Sequence, residues 1–80
     1  MDQFRKEIMV GEEKRMFYFN RLQNMNGVKF FITSHDEAKK AIAFSVRENE
    51  TAAWKLVPGS ARWLYAIESQ LSDAIVDTRL

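Results

Sequence analysis

Residues 14–33 read KRMFYFNRLQNMNGVKFFIT, and the rest of the chain is arranged around them. The stretch holds four basic residues (Lys14, Arg15, Arg21, Lys29), five aromatic residues (Phe17, Tyr18, Phe19, Phe30, Phe31) and no acid. Asn26-Gly27 sits between two runs of strand-forming residues. A two-residue type I′ turn needs positive φ at both central positions, which Asn-Gly tolerates best, so the sequence predicts a β-hairpin. With the turn at 26 and 27, Met25 falls opposite Val28, Asn24 opposite Lys29, Gln23 opposite Phe30, Leu22 opposite Phe31 and Arg21 opposite Ile32.

Directly opposed residues in such a pair share a side, and successive residues alternate sides. One face then carries Phe17, Phe19, Val28, Phe30 and Ile32, with Arg21 and Gln23 near its end. The other carries Tyr18, Asn20, Leu22, Asn24, Lys29, Phe31 and Thr33. The first has the composition of a core. The second mixes rings, amides and cations, which is unusual for a surface that only meets water.

Outward from the hairpin, Phe4, Ile8 and Val10 give an edge strand over 4–10, and Gly11-Glu12-Glu13 marks the turn into the hairpin. The hairpin strands run over 14–25 and 28–34. A polar loop from Ser34 through His35, Asp36 and Glu37 leads to 40–47, where Ile42, Phe44 and Val46 alternate with Ala41, Ala43 and Ser45. A turn at 48–51 precedes a short last strand at 53–57. Pro58 and Gly59 end the sheet, and Ser60 is placed to cap a helix. Over 61–76, Leu64, Ile67, Leu71, Ala74 and Ile75 fall on one stripe with Trp63 on its shoulder, the pattern of an amphipathic helix. That stripe has one apolar partner available, the sheet face with Phe17, Phe19, Phe30 and Ile32. The expected fold is α+β: one domain over 1–80, a curved antiparallel sheet of four to five strands with one C-terminal helix across one face.

Eighty residues leave room for a single core and no second domain. The net charge of +1 means that the whole molecule is not a polycation, so any polyanion would have to meet a local patch. Cysteine is absent, which removes disulfides, thiolate nucleophiles and Cys-based zinc sites. No apolar run approaches the roughly 18 residues that span a bilayer, and a signal-peptide core is missing, so the expectation is a cytoplasmic protein with no membrane partner. Catalysis has little to work with. His35 is the sole histidine and falls in a polar loop, the glycines fall at separate turns, and Glu12, Glu13, Asp36 and Glu37 read as solvated loop charges. The expectation is a protein that is not an enzyme and takes no metal or cofactor.

The ring-and-cation face is the one informative constellation. Single strands are held without much sequence preference by rings on which bases stack and cations that track the backbone. The candidate nucleic-acid-binding residues are Arg15, Tyr18, Asn20, Asn24, Lys29 and Phe31. The competing reading has Tyr18, Leu22 and Phe31 buried against a second chain or under the N-terminal strand, which makes the chain a protein-interaction or dimerisation module. Trp54 and Trp63 read first as packing residues, with Trp54 also able to serve as a stacking platform. Tyr65 and Val76 share the outer shoulder of the helix, a modest surface for self-association.

KRMFYFN, then NGVKFFITS, then a third alternating strand resemble the Pur-alpha repeat, with its basic-aromatic first strand, Asn- and Gly-containing turn and aromatic-basic second strand. KLVPGSARWLYAIESQLSDAI is similar to the last strand and helix of the transcriptional coactivator positive cofactor four. The resemblance spans roughly residues 5–76. It implies an antiparallel sheet with a C-terminal helix, assembly as homodimers or paired repeats, and single-stranded DNA or RNA bound on the sheet in transcription regulation. By position it assigns Asn24 to the turn asparagine, and Lys29 and Phe31 to the strand that meets bases and phosphates. Leu22 stands where a Pur repeat usually has lysine, and Asn26 where it often has arginine.

Overall fold

The structure is a computed structural model that describes residues 3–25, 27–36, 38–48 and 53–78. Five strands form one antiparallel meander, each paired with its neighbours in chain order: β1 (Gln3–Val10), β2 (Glu13–Asn24), β3 (Gly27–His35), β4 (Ala41–Glu48) and β5 (Trp54–Leu56). Two helical pieces follow, α1 (Arg62–Tyr65) and α2 (Glu68–Thr78). Helix α2 touches both edge strands, β1 and β5, so the sheet curls about it. No helix among the described residues is long and apolar enough to cross a membrane.

Alternation decides which side chains meet the helix. Phe17, Phe19, Phe30, Ile32, Phe44, Val46, Trp54 and Leu56 are buried on one face, together with Ile8, and pack against Leu64, Ile67, Leu71, Ala74 and Ile75. Each such side chain contributes about 1.5–3 kcal/mol on burial. Phe4 stacks on Phe19 at 4.4 Å, and Phe30 meets Phe19 and Trp54 edge-on at 6.3 and 5.1 Å, so rings from four strands cross the core in one line. Trp54 is thereby a core residue and not a platform for bases.

Three expectations change in detail. In the hairpin, Asn24 pairs with Gly27, Leu22 with Lys29, Arg21 with Phe30 and Asn20 with Phe31. Asn24 and Gly27 thus close the hairpin as a pair, with Met25 in the turn, and Gly27 uses its positive φ of 115° as the first paired residue of β3 instead of as a turn residue. Each residue shifts by two positions in its partner, an even slip that leaves every side chain on its expected face. Asn26, the other half of the expected turn, lies outside the described residues, as do Glu37 and most of the expected turn at 48–51.

The helix is the second change. It is broken at Ala66 and Ile67, whose N–H groups donate to the carbonyls of Trp63 and Leu64 three residues back, a tighter winding than the α-helix. Ser60 is the third. Its hydroxyl donates to the Val57 carbonyl at 2.7 Å, and Ala61 occupies the cap position without a side-chain bond.

The break sets Glu68 and Ser72, one turn apart on α2, against the outer edge of β5. The Leu56 N–H donates to Glu68 Oε2 at 2.9 Å and the Trp54 N–H to Ser72 Oγ at 3.1 Å. An edge strand normally presents such donors to any passing strand; here α2 occupies them. Glu68→Ala is expected to lower the unfolding free energy by about 1–3 kcal/mol, since a charge-assisted bond is lost and a half-buried donor is left open. Urea titration measures the loss, and faster hydrogen exchange at the Leu56 amide locates it.

Candidate functional site

The face away from the helix is built by the other half of each strand. It carries Gln3, Arg5, Glu7 and Met9 from β1, and Lys14, Met16, Tyr18, Asn20 and Leu22 from β2. Lys29, Phe31, Thr33 and His35 come from β3, then Ala41, Ala43, Ser45 and Arg47 from β4, and Lys55 from β5. Nothing among the described residues covers it: Tyr18 and Leu22 are each 44% exposed and Phe31 39%. Two aromatic rings and a leucine held this open on one sheet face form the kind of surface that monomeric proteins seldom leave bare.

The charge on this face is one-sided. Among the described residues it holds Arg5, Lys14, Lys29, Arg47 and Lys55 against one acid, Glu7. A surplus of four positive charges on a chain whose net charge is +1 means that the remainder of the molecule is net acidic. The acid is partly used, since Glu7 Oε1 lies 4.0 Å from Lys14 Nζ.

Cross-strand pairing lines these residues into rows. Leu22, Lys29, Arg47 and Lys55 are successive partners from β2 to β5. The next row is Gln3, Asn20, Phe31 and Ser45, and the one after it Arg5, Tyr18, Thr33 and Ala43. Lys29 and Arg47 have no hydrogen-bonding or ion-pair partner among the described residues, whereas Lys55 Nζ reaches round the sheet edge to Glu68 Oε1 at 3.4 Å. Phe31 and Tyr18 occupy adjacent rows on neighbouring strands, diagonal positions roughly 7–8 Å apart. Beside Tyr18 the face dips into an open depression of about 420 Å³ lined by Gln3, Phe4, Arg5, Tyr18, Phe19 and Asn20.

Of the residues singled out from sequence, Tyr18, Asn20, Lys29 and Phe31 stand on this face. Asn24 ends β2 opposite Gly27, and its side chain lies outside the described residues. Arg15 does not belong to the site. It pairs with Ile8 and shares the face of Phe17 and Phe19, only 8% exposed. Its Nη1 donates to the His35 carbonyl at 3.2 Å, its Nε lies 3.5 Å from Glu13 Oε1, and its guanidinium sits 5.3 Å from the centre of the Trp63 ring. That cation ties β2, the end of β3 and α1 together, and Trp63 is its platform. Sequence reasoning does not single out Arg5, Arg47 and Lys55. The signal available for Arg47 is its odd place in the 40–47 alternation, on the side of Ala41, Ala43 and Ser45.

His35 ends β3, exposed, and Asp36 is a loop clip whose Oδ1 accepts from the N–H groups of Ala38 and Lys40, each at 2.9 Å. Among the described residues no three His, Cys, Asp or Glu side chains come together as a metal site would need. The arrangement has the chemistry of adsorption: stacking surfaces, amide and hydroxyl groups, and unneutralised cations.

Arg15→Ala is expected to cost about 1–3 kcal/mol of stability, through the lost charge-assisted bond and the cation–π contact. Thermal or urea unfolding reads this directly. A variant as stable as the parent would remove the clamp assigned to Arg15. Comparison of the chain with family models, with curated proteins and with solved structures finds no match, so the case for the site rests on the chemistry of its residues.

Proposed function

We propose that this chain is a non-enzymatic, single-stranded nucleic-acid-binding protein that holds DNA or RNA on the open sheet face and acts as a homodimer in transcription regulation. The observation that carries the reading is the partition of charge and rings on that face. Among the described residues Arg5, Lys14, Lys29, Arg47 and Lys55 share it with Tyr18 and Phe31, against Glu7 alone. Single strands expose both a phosphate backbone and unpaired base faces, and a surface with cations and open rings matches both. A duplex hides its base faces, so the rings would add nothing to its binding.

The homodimer follows from the resemblance to paired repeats, and the fold limits where strands could join. Helix α2 occupies the outward donors of β5 at Trp54 and Leu56, which leaves β1 as the edge open to pairing. The competing reading, a protein-interaction module, draws on Met9, Met16 and Leu22. They are exposed on the same face and are not stacking groups for bases. A protein partner would bury them along with Tyr18 and Phe31.

Fluorescence anisotropy with labelled single-stranded DNA and RNA decides between the two. Binding is expected, with an affinity that falls as salt rises. Phe31→Ala is expected to weaken it by about 1–3 kcal/mol, roughly 5- to 150-fold, by removing one stacking surface. Failure of the parent protein to bind either strand at low salt would leave the interaction-module reading in its place. Sedimentation equilibrium measures the dimer.

A further inference from the structure

We propose that, on the open face of the proposed single-strand site, the nucleic-acid backbone crosses the β-strands instead of following them, with phosphates seated on Lys29 and Arg47 and bases turned toward Phe31 and Tyr18. The inference rests on that proposed function and adds a direction to it.

Like charges placed directly opposite on neighbouring strands repel, with Cβ atoms about 4.5–5.5 Å apart. Lys29 and Arg47 are such a pair, and neither has an anionic partner among the described residues. The arrangement gives the free protein nothing in return, yet it is what a polyanion laid across β3 and β4 requires. Arg47 adds a planar fork that can hold two phosphate oxygens at once. Lys55 ends the row at the sheet edge, where Glu68 already engages it.

The rings lie to one side of this row. Phe31 is two residues further along β3 than Lys29, about 6.8 Å away, and Tyr18 lies one row beyond. On the other side of the row β3 ends at Gly27. A single strand has the same asymmetry, with phosphates along one margin and bases along the other. A path along the strands fits poorly. It would meet one cation on β3, with Phe31 and Thr33 beyond, and on β4 it would meet Arg47 followed by Ser45 and Ala43 without a ring.

The test uses the full chain and fluorescein-labelled dT12 and rU12, with the dependence of log Kd on log salt measured for each variant. Single strands lose about 0.7 of slope per phosphate contact removed. Lys29→Gln and Arg47→Gln are expected to flatten the slope by about 0.7 each, and together by about 1.4. Arg62→Gln, exposed on α1 and away from the open sheet face, is expected to leave it unchanged, and Arg47→Lys to retain it. Phe31→Ala is expected to weaken binding at an unchanged slope. Arg47→Gln is also expected to raise the melting temperature of the free protein, by about 1–4 °C, because the repulsion across β3 and β4 is relieved. Weaker binding with higher stability distinguishes a phosphate seat from a structural role.

If the parent binds and neither Lys29→Gln nor Arg47→Gln alters the slope, the crossing path is overturned while single-strand binding stands. It is overturned in the same way if Arg62→Gln flattens the slope as much as they do, since attraction is then spread over the whole molecule. If the parent binds neither oligonucleotide, the path falls together with the proposed function beneath it.

Discussion

Burial of Phe17, Phe19, Phe30 and Ile32 beneath the C-terminal helix is the constraint on which the rest depends. Each is fixed to the inner side by the two-residue period of its strand, so each neighbour in sequence is sent outward with equal force. Tyr18 and Phe31 are exposed because Phe17, Phe19, Phe30 and Ile32 are not. A slip of one residue in both β2 and β3 would put Tyr18, Asn20 and Lys29 into the core and expel Phe17, Phe19, Phe30 and Ile32. The cost of that exchange, several times about 2 kcal/mol, exceeds anything the open face could recover. The outer face is therefore as well determined as the core, although no described residue packs on it.

This constraint also explains why the faces are legible in the sequence when the pairing is not. The observed pairing differs from the expected one by two positions and no side, so Phe31 changes its partner from Leu22 to Asn20 and remains outside. Arg15 is legible by the same rule. Its charge points to the binding group, but its parity, two residues before Phe17, places it on the inner side, and parity decides. The row from Lys29 through Arg47 to Lys55 is not legible. It depends on the registers of β3 with β4 and β4 with β5, and the sequence between those strands carries no hairpin signal as specific as Asn-Gly. The break at Ala66 and Ile67 is hidden for another reason. The stripe of Leu64, Ile67, Leu71, Ala74 and Ile75 is continuous, and the interruption reflects tertiary contact, with Glu68 and Ser72 brought to the donors of β5.

Net charge misdirects in this chain because it averages two unlike surfaces. The cations of Arg5, Lys14, Lys29, Arg47 and Lys55 share one sheet face, whereas Glu13, Asp36, Glu48, Glu68 and Asp73 belong to the opposite parity, the loops or the helix. A dipolar distribution of this kind orients an approaching polyanion even when total charge is near zero, within the roughly 8–10 Å over which physiological salt leaves a field unscreened.

The small size of the domain gives the unpartnered Lys29–Arg47 pair its meaning. A chain of this length holds a stability of order 5–15 kcal/mol, and a like-charged cross-strand pair takes about 0.2–1 kcal/mol from it. The aromatic line from Phe4 through Phe19 and Phe30 to Trp54 crosses the opposite side of the same strands, with stacked and edge-on contacts worth about 0.5–1.5 kcal/mol each beyond simple burial. Phe30 on the inner side is next in sequence to Lys29 on the outer, so the strongest part of the core lies behind the repelling pair. The sheet can thus present an electrostatically unfavourable arrangement to solvent without opening. An anion that removes the repulsion would stabilise the folded chain as it binds.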